Sequence, residues 1–266
     1  MGSLNRYQKI IERVFFKGYG DGDEEVAFTR EDLVEASRHL GVRLPKNLGD
    51  IIYSFRYRSA LPESVIRAAP EGKDWIIRPA GPAKYRFVAT ALSRITPNEM
   101  LAETKLPDAT PGVIEMYALT DEQALLARLR YNRLIDVFTG LTCYSLQNHL
   151  RTTAPGLGQV ETDELYVGID KRGAHYVLPV QAKGGTDVLS VVQVEQDVAV
   201  CRSKFEALVC RPMAAQFMRD ELIALFEFEA AGDEISLVAE KHYRLVPQDQ
   251  VTEADLRAYL SRPLDA

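Results

Sequence analysis

Apolar residues recur at helical spacing through the N-terminal part of the chain. Ile10, Ile11, Val14 and Phe15 mark the inner side of a helix over residues 5–18. A glycine–aspartate turn from Gly18 to Asp23 follows. Thr29 then has the character of an N-cap, with Asp32 as the capping-box acid three residues on, ahead of Leu33, Ala36 and Leu40. Gly41 ends that helix. Pro45 and Asn47 open a third, running from Leu48 to about Arg58 through Ile51, Ile52 and Phe55. Past Pro62 the pattern changes to short apolar runs. Trp75-Ile76-Ile77-Arg78 and Tyr85-Arg86-Phe87-Val88 predict two strands around Pro79-Ala80-Gly81-Pro82.

Three helices followed by a hairpin is the order of a winged helix-turn-helix, which predicts a DNA-reading domain over residues 1–92. Residues 93–119 hold Pro97, Pro107, Pro111 and Gly112 and read as a connector. The pattern then predicts a strong helix capped by Thr120 and Gln123, carrying Leu125, Leu129, Ile135 and Phe138 and stopped by Gly140. Strands follow at about Cys143–Thr152, Glu161–Asp170 and His175–Lys183, the last two joined by Lys171-Arg172-Gly173. A helix is predicted from about Asp187 to Leu208, then strands over Leu222–Glu229 and Ile235–Leu245, and a short helix near Ala254–Leu260. Residues 120–266 thus form an α/β domain whose leading elements run helix, three strands, helix, strand. Met213 and Met218 read as core, and Gly156-Leu157-Gly158 as a loop.

With 46% hydrophobic and 26% charged residues in 266, the chain can bury a sizeable core. No apolar run nears the roughly 20 residues that span a bilayer. Met1 to Arg13 is too polar for a signal peptide, so no membrane association and a cytoplasmic location are expected. Cys143, Cys201 and Cys210 lack a CxxC pair and are expected as thiols in a reducing compartment. The four histidines, at 39, 149, 175 and 242, lack metal-motif spacing. Net charge is −6 overall, but residues 1–90 are basic and the remainder acidic, which suits a nucleic-acid reader joined to a carboxylate-bearing site.

The acids gather around the second strand of the α/β domain. Glu161, Asp163, Glu164 and Asp170 lie within ten residues, and Lys183 closes the next strand after Gln181. If Asp170 pairs with Ala174 across the turn, Gln181 faces Asp163 and Lys183 faces Glu161. Cross-strand partners share a face with Cβ atoms roughly 5 Å apart. An acid, an amide oxygen and a lysine then converge, while a one-residue slip would bring in Thr162 or Glu164 instead. Phosphodiester hydrolysis uses such groups: oxygen ligands for a divalent cation, and a cationic side chain near the attacking water and the developing negative charge. Lys183-Gly184-Gly185 leaves small residues where a phosphate would approach. Gln193, Glu195, Gln196 and Asp197 interrupt the apolar run of the following helix, so one side of it is expected to line the site.

On these residues the chain resembles the PD-(D/E)XK nuclease superfamily, which holds most type II restriction endonucleases and shares an αβββαβ core with a mixed sheet. The match covers about residues 115–230. Asp163 stands at the first acid and Gln181-Ala182-Lys183 at the acid-x-lysine segment, with Gln181 a departure that some restriction enzymes of the family share. The resemblance implies magnesium or manganese held by Asp163 and Gln181, Lys183 at the reacting water, and a homodimer that cuts both strands. In some relatives a helix acid adds a further ligand, and Glu122 and Asp136 are the candidates for that role here. His149, beside Gln147 and Asn148, is a candidate substrate contact.

Double-stranded DNA would be read by Tyr53, Arg56, Tyr57 and Arg58 on the third helix, with Arg78, Lys84 and Arg86 of the hairpin gripping backbone. Three other readings fit the same pattern. One is a repair nuclease of the same fold, one a winged-helix regulator with a non-catalytic α/β domain, and one an inactive nuclease fold used as a DNA-binding scaffold.

Overall fold

Side-chain caps set the first helices. In the computed structural model, which describes residues 4–117, 121–184, 187–232 and 234–262, Asn5 caps α1 (Arg6–Gly18). Its oxygen accepts from the N–H groups of Tyr7 and Gln8, and the Gln8 side chain accepts from the Asn5 N–H. Thr29 and Asp32 form the same reciprocal box at α2 (Arg30–Leu40), which Gly41 closes at φ 63°. Between these helices lies β1 (Glu25–Thr29), absent from the sequence expectation because only Val26 and Phe28 are buried in it. α3 (Gly49–Tyr57), α4 (Glu63–Arg67), β2 (Asp74–Pro79) and β3 (Lys84–Thr90) complete this unit, and α4 was likewise unforeseen. The sheet runs β1-β3-β2, antiparallel throughout. Ile10, Leu33, Ile51, Ile77 and Phe87 fill its core, with Phe15 edge-on to Trp75 and to Phe87 at 5.1 Å each.

The second compact unit is drawn from Ile95–Pro155, Gln159–Leu189 and Gln193–Ala266. After β4 (Arg94–Ile95) come β5 (Glu103–Pro107), α5 (Gly112–Tyr117), α6 (Asp121–Tyr131) and α7 (Leu134–Thr139). The three strands β6 (Thr142–Ala154), β7 (Gly158–Ile169) and β8 (His175–Lys183) follow. Then come β9 (Leu189–Ser190), α8 (Val191–Lys204), β10 (Val209–Cys210) and β11 (Met213–Phe217). β12 (Ile223–Ala231), β13 (Glu234–Val246) and α9 (Glu253–Leu260) close the chain. One mixed sheet orders them β5-β13-β12-β11-β8-β7-β6, with β10 also beside β8. β7 pairs antiparallel with β8, and β8 parallel with β11, the reversal that α8 makes possible. Leu125, Leu129 and Ile135 pack on one face with Tyr166, Leu178, Val180 and Ala182. Cys201 packs with Leu165 and Val177 on the other.

Several expectations need correction. Residues 93–119 are no mere connector, because β5 lies parallel to β13 at the sheet's edge, with Glu103 opposite His242. The single helix expected up to Gly140 is two, broken where Arg133 takes φ 50°. Asn132 holds that break: its amide donates to Arg128 O and Thr110 Oγ1, and its oxygen accepts from Ala109 N–H. Residues 189–190 are strand, so the next helix starts at Val191 rather than near Asp187. The strands that follow that helix into the sheet are β10 and β11, both parallel to β8, not the segment 222–229. Met213 is core as expected. The expected cap at Thr120 and the small residue Gly185 lie outside the described residues. All three cysteines are free thiols, and burial pushes Cys143 up to about 11. Among the described residues no helix is long and apolar enough to cross a membrane.

The β7–β8 turn fixes the register on which the site depends. Asp170 N–H donates to Ala174 O at 3.1 Å, and Gly173, at φ 85°, donates to Asp170 O. The Asp170 carboxylate accepts from the N–H groups of Ala174 and Arg172 and from the Arg172 guanidinium, and the Ala174 bond above all holds its pKa down at about 2. From there Ile169 faces His175 and Glu164 faces Val180, the register expected from sequence. A carboxylate whose folded pKa is depressed stabilises the fold above its ordinary pKa, and that stability is lost as pH falls through the folded value. Asp170→Ala should therefore lower the urea midpoint at pH 7, with the difference from wild type vanishing as pH is brought from 4 to 2. An unchanged midpoint at pH 7 would mean the turn does not depend on this carboxylate.

Candidate functional site

Beyond the Glu164–Val180 pair, side chains replace the regular ladder between β7 and β8. Ala182 N–H donates to Asp163 Oδ2 at 2.8 Å, and the Gln181 amide donates to the Glu161 carbonyl oxygen at 3.2 Å. Alternation along β7 places Leu165 on the α8 side and Tyr166 on the α6 side. By that phase Thr162 belongs with Tyr166, yet its hydroxyl donates to Asp197 of α8 at 2.5 Å. The strand therefore shifts phase near Asp163, as irregular strands beside functional sites often do.

Asp197 is the acid around which this region is built. It is buried, in a helix that also buries Val191, Val192, Val194, Val198 and Val200. Thr162 donates to Oδ1, and the Gln181 amide donates to both oxygens at 3.1 and 3.0 Å. Burial pushes Asp197 up to about 7; the hydrogen bonds from Thr162 and Gln181 oppose that rise, and the charge of Asp163 adds to it. Asp163 is itself raised, first by burial, while the Ala182 bond, Lys183 and His149 pull the other way. The two carboxyls and Lys183 thus share one electrostatic environment.

Lys183 is largely buried, with Nζ 3.9 Å from Glu122 Oε1 on α6. Burial raises the pKa of Glu122, against the attraction of Lys183. Of the two helix acids singled out by sequence, Glu122 therefore belongs to this neighbourhood. Asp136 does not: it pairs with Arg133 and accepts from Cys143 N–H at 2.9 Å, tying α7 to β6.

The other proposed acids have other partners. Glu164 is fully buried in a two-pronged pair with Arg130 at 3.0 Å to each oxygen, and Ser145 Oγ donates to it at 2.6 Å. The buried carboxylate is thus satisfied by a partly exposed guanidinium, which leaves Glu164 committed to α6. Glu161 is half exposed and faces Arg151 at 3.2 Å. Gln181, expected to offer its oxygen to a cation, instead accepts there from Gln193 at 3.1 Å and turns its amide on Asp197. It orients the buried acid. The residue that sequence reasoning underrated is Asp197, named only among four polar interruptions of α8; a carboxylate inside an otherwise valine-rich helical face was the signal.

The residues expected to read DNA fall on two elements of the first unit. On α3 the Tyr53 and Tyr57 rings lie 4.8 Å apart, with the Arg58 guanidinium over Tyr53 and that of Arg56 over Tyr57, each at 5.0 Å. Arg78 faces Arg86 across the β2–β3 ladder, and Lys84 is exposed near the hairpin turn. Arg86 also contacts Glu25 at 3.1 Å, which offsets part of its charge.

Among the described residues no group of three or more His, Cys, Asp or Glu side chains is assembled to hold a metal ion. The donor set still fits a hard cation that keeps most of its water: magnesium commonly takes one or two protein carboxylates, the remaining places going to water and phosphate. A buried carboxyl whose pKa a second carboxyl raises further is the kind of site a divalent cation would relieve. Comparison with protein-family models, with curated proteins and with solved structures gave no match.

An acid raised in the folded state stabilises the fold below its ordinary pKa, and that contribution is lost as pH rises through the folded value. With Asp197 at about 7, and Asp163 shifted the same way, urea denaturation without divalent cations should give a stability that falls between pH 4 and 8. The expected fall is on the order of 3 kcal/mol. Asp197→Asn should flatten most of that slope. A slope unchanged in the variant would place the titrating group elsewhere.

Proposed function

We propose that this protein is a metal-dependent DNA endonuclease of the restriction type, built on a PD-(D/E)XK-like core behind a winged-helix reading module. The observation that carries the reading is that Asp163 and Lys183 both act on the buried Asp197, with Asp163 tied to β8 through Ala182 N–H and Asp197 tied to it through Gln181. Supporting it is the element order of the second unit: helices, three consecutive strands, a crossover helix, and a strand parallel to the third. The first unit supplies helices and a hairpin in winged-helix order, with arginines seated on tyrosines at the end of α3.

Asp163 and Asp197 are the groups that would hold magnesium or manganese. The cation would supply Lewis acidity at the scissile phosphate and acidify a bound water. Lys183, steadied by Glu122, presents its ammonium group to the attacking water or to the charge that grows on phosphorus-bound oxygen. Gln181 and Thr162 keep the Asp197 carboxylate in one orientation, with Gln193 holding Gln181 in turn. On duplex DNA, Arg56 and Arg58 would contact base edges or phosphates, and Arg78, Lys84 and Arg86 the backbone. Cutting both strands calls for two such sites, and a homodimer supplies them.

The test is incubation with mixed-sequence duplex DNA and Mg2+, followed by mapping of the ends. Wild type should cut, and Lys183→Ala should lose at least about 10²-fold in rate, the scale on which one stabilising group acts, while duplex affinity stays within about threefold. A wild-type protein that binds duplex DNA without ever cutting it would favour a regulator. Cleavage unchanged in Lys183→Ala would remove Lys183 from the chemistry.

A further inference from the structure

β6 is distorted at the point where it passes this site. Ser145 bonds Glu164 on the α6 side of the sheet, and Asn148, three residues on, accepts from Arg130 of α6 at 3.2 Å. Leu150, two residues beyond Asn148, packs on the opposite face with Leu165, Val177 and Cys201. Strict alternation permits neither spacing. Within this distortion His149 takes φ 46°, a left-handed torsion uncommon for a residue with a Cβ. Conformations of this kind cost on the order of 1–3 kcal/mol and persist where the surroundings enforce them, chiefly at functional sites. Here the surroundings are the Arg130 bond to Asn148 on one side and the packing of Leu150 on the other.

The distortion delivers an exposed imidazole to the carboxyl cluster. His149 lies near enough for its charge to act on two acids from different elements, Asp163 of β7 and Glu122 of α6. It is the one histidine whose influence reaches those acids among the described residues; His175 sits by the far turn at the other end of β8, and His242 is buried on β13 against Glu240. A phosphodiester bound at Asp163 and Lys183 would therefore meet a ring N–H from the β6 side, opposite in kind to the acids that would hold the cation.

We propose that His149 is a further catalytic residue, donating its imidazole N–H to a non-bridging oxygen of the scissile phosphate. This rests on the nuclease reading above. The strained backbone is then the cost of aiming the ring.

His149→Asn and His149→Gly test the idea, because asparagine and glycine both tolerate a left-handed torsion. Rates of Mg2+-dependent cleavage, duplex affinity with Ca2+ in place of Mg2+, and melting temperature would be measured for both, beside Lys183→Ala. The expected result is cleavage slowed about 10²-fold, as for the loss of one preorganised donor, with affinity within about threefold and melting temperature unchanged or higher. Cleavage at the wild-type rate in His149→Asn, with Lys183→Ala inactive, would overturn the assignment of His149 and leave the nuclease reading standing. Slower cleavage accompanied by a lower melting temperature in both variants would overturn it in favour of a structural role. No cleavage by wild type, or full cleavage by Lys183→Ala, would bring down the nuclease reading and this inference with it.

Discussion

The arrangement depends on one buried carboxyl. Asp197 is buried in a valine-rich helix, where an ionised group without partners would cost several kcal/mol. Its oxygens are met by a hydroxyl and an amide, both neutral, so these three hydrogen bonds lower that cost without cancelling the charge. A second carboxyl, Asp163, stands close enough to make matters worse. A fold selected only for stability would replace such a group with a valine or an asparagine. Partly compensated buried charge suits the cation proposed above, and Lys183, whose charge acts on Asp197, is itself shared with Glu122.

That constraint propagates outward through neighbouring strands. Thr162 reaches Asp197 only because β7 changes phase next to Asp163, and Asp163 uses its side chain, not its backbone, to satisfy Ala182. The adjacent strand β6 is distorted at the same level, around His149. The Arg130–Glu164 pair and Ser145 lock both strands to α6 beside these irregularities. Regular structure resumes on either side. In the first unit, tyrosine rings at the end of α3 hold two guanidinium groups, which under the proposed reading would reduce the entropy lost on engaging DNA.

What could be read from sequence was what local chemistry determines. The Thr29–Asp32 box, the Gly41 stop and the Asp170–Gly173 turn act within five residues, and each was legible. The turn even gave the strand register, and with it the neighbourhood of Asp163, Gln181 and Lys183. Contacts between distant segments were not legible. β5 looks like connector because its partner β13 lies over a hundred residues away. Glu164 looked like a site acid because nothing in the sequence announces that Arg130 of α6 will claim it. Gln181 looked like a cation ligand, since its true neighbours, Gln193 and Asp197, come from a helix whose rotation about its axis no periodicity fixes when both faces are apolar. The phase shift in β7 breaks the alternation on which any cross-strand argument rests, and side-chain hydrogen bonds drive it, not residue propensity.

The most direct test is to locate the cation. Crystals grown or soaked with Mn2+ and measured at the manganese absorption edge would report its position independently of any DNA substrate. The account predicts an anomalous peak beside Asp163 and Asp197, lost in Asp163→Asn. Crystals saturated with Mn2+ that show no peak at these two residues, or a peak only elsewhere on the chain, would contradict it.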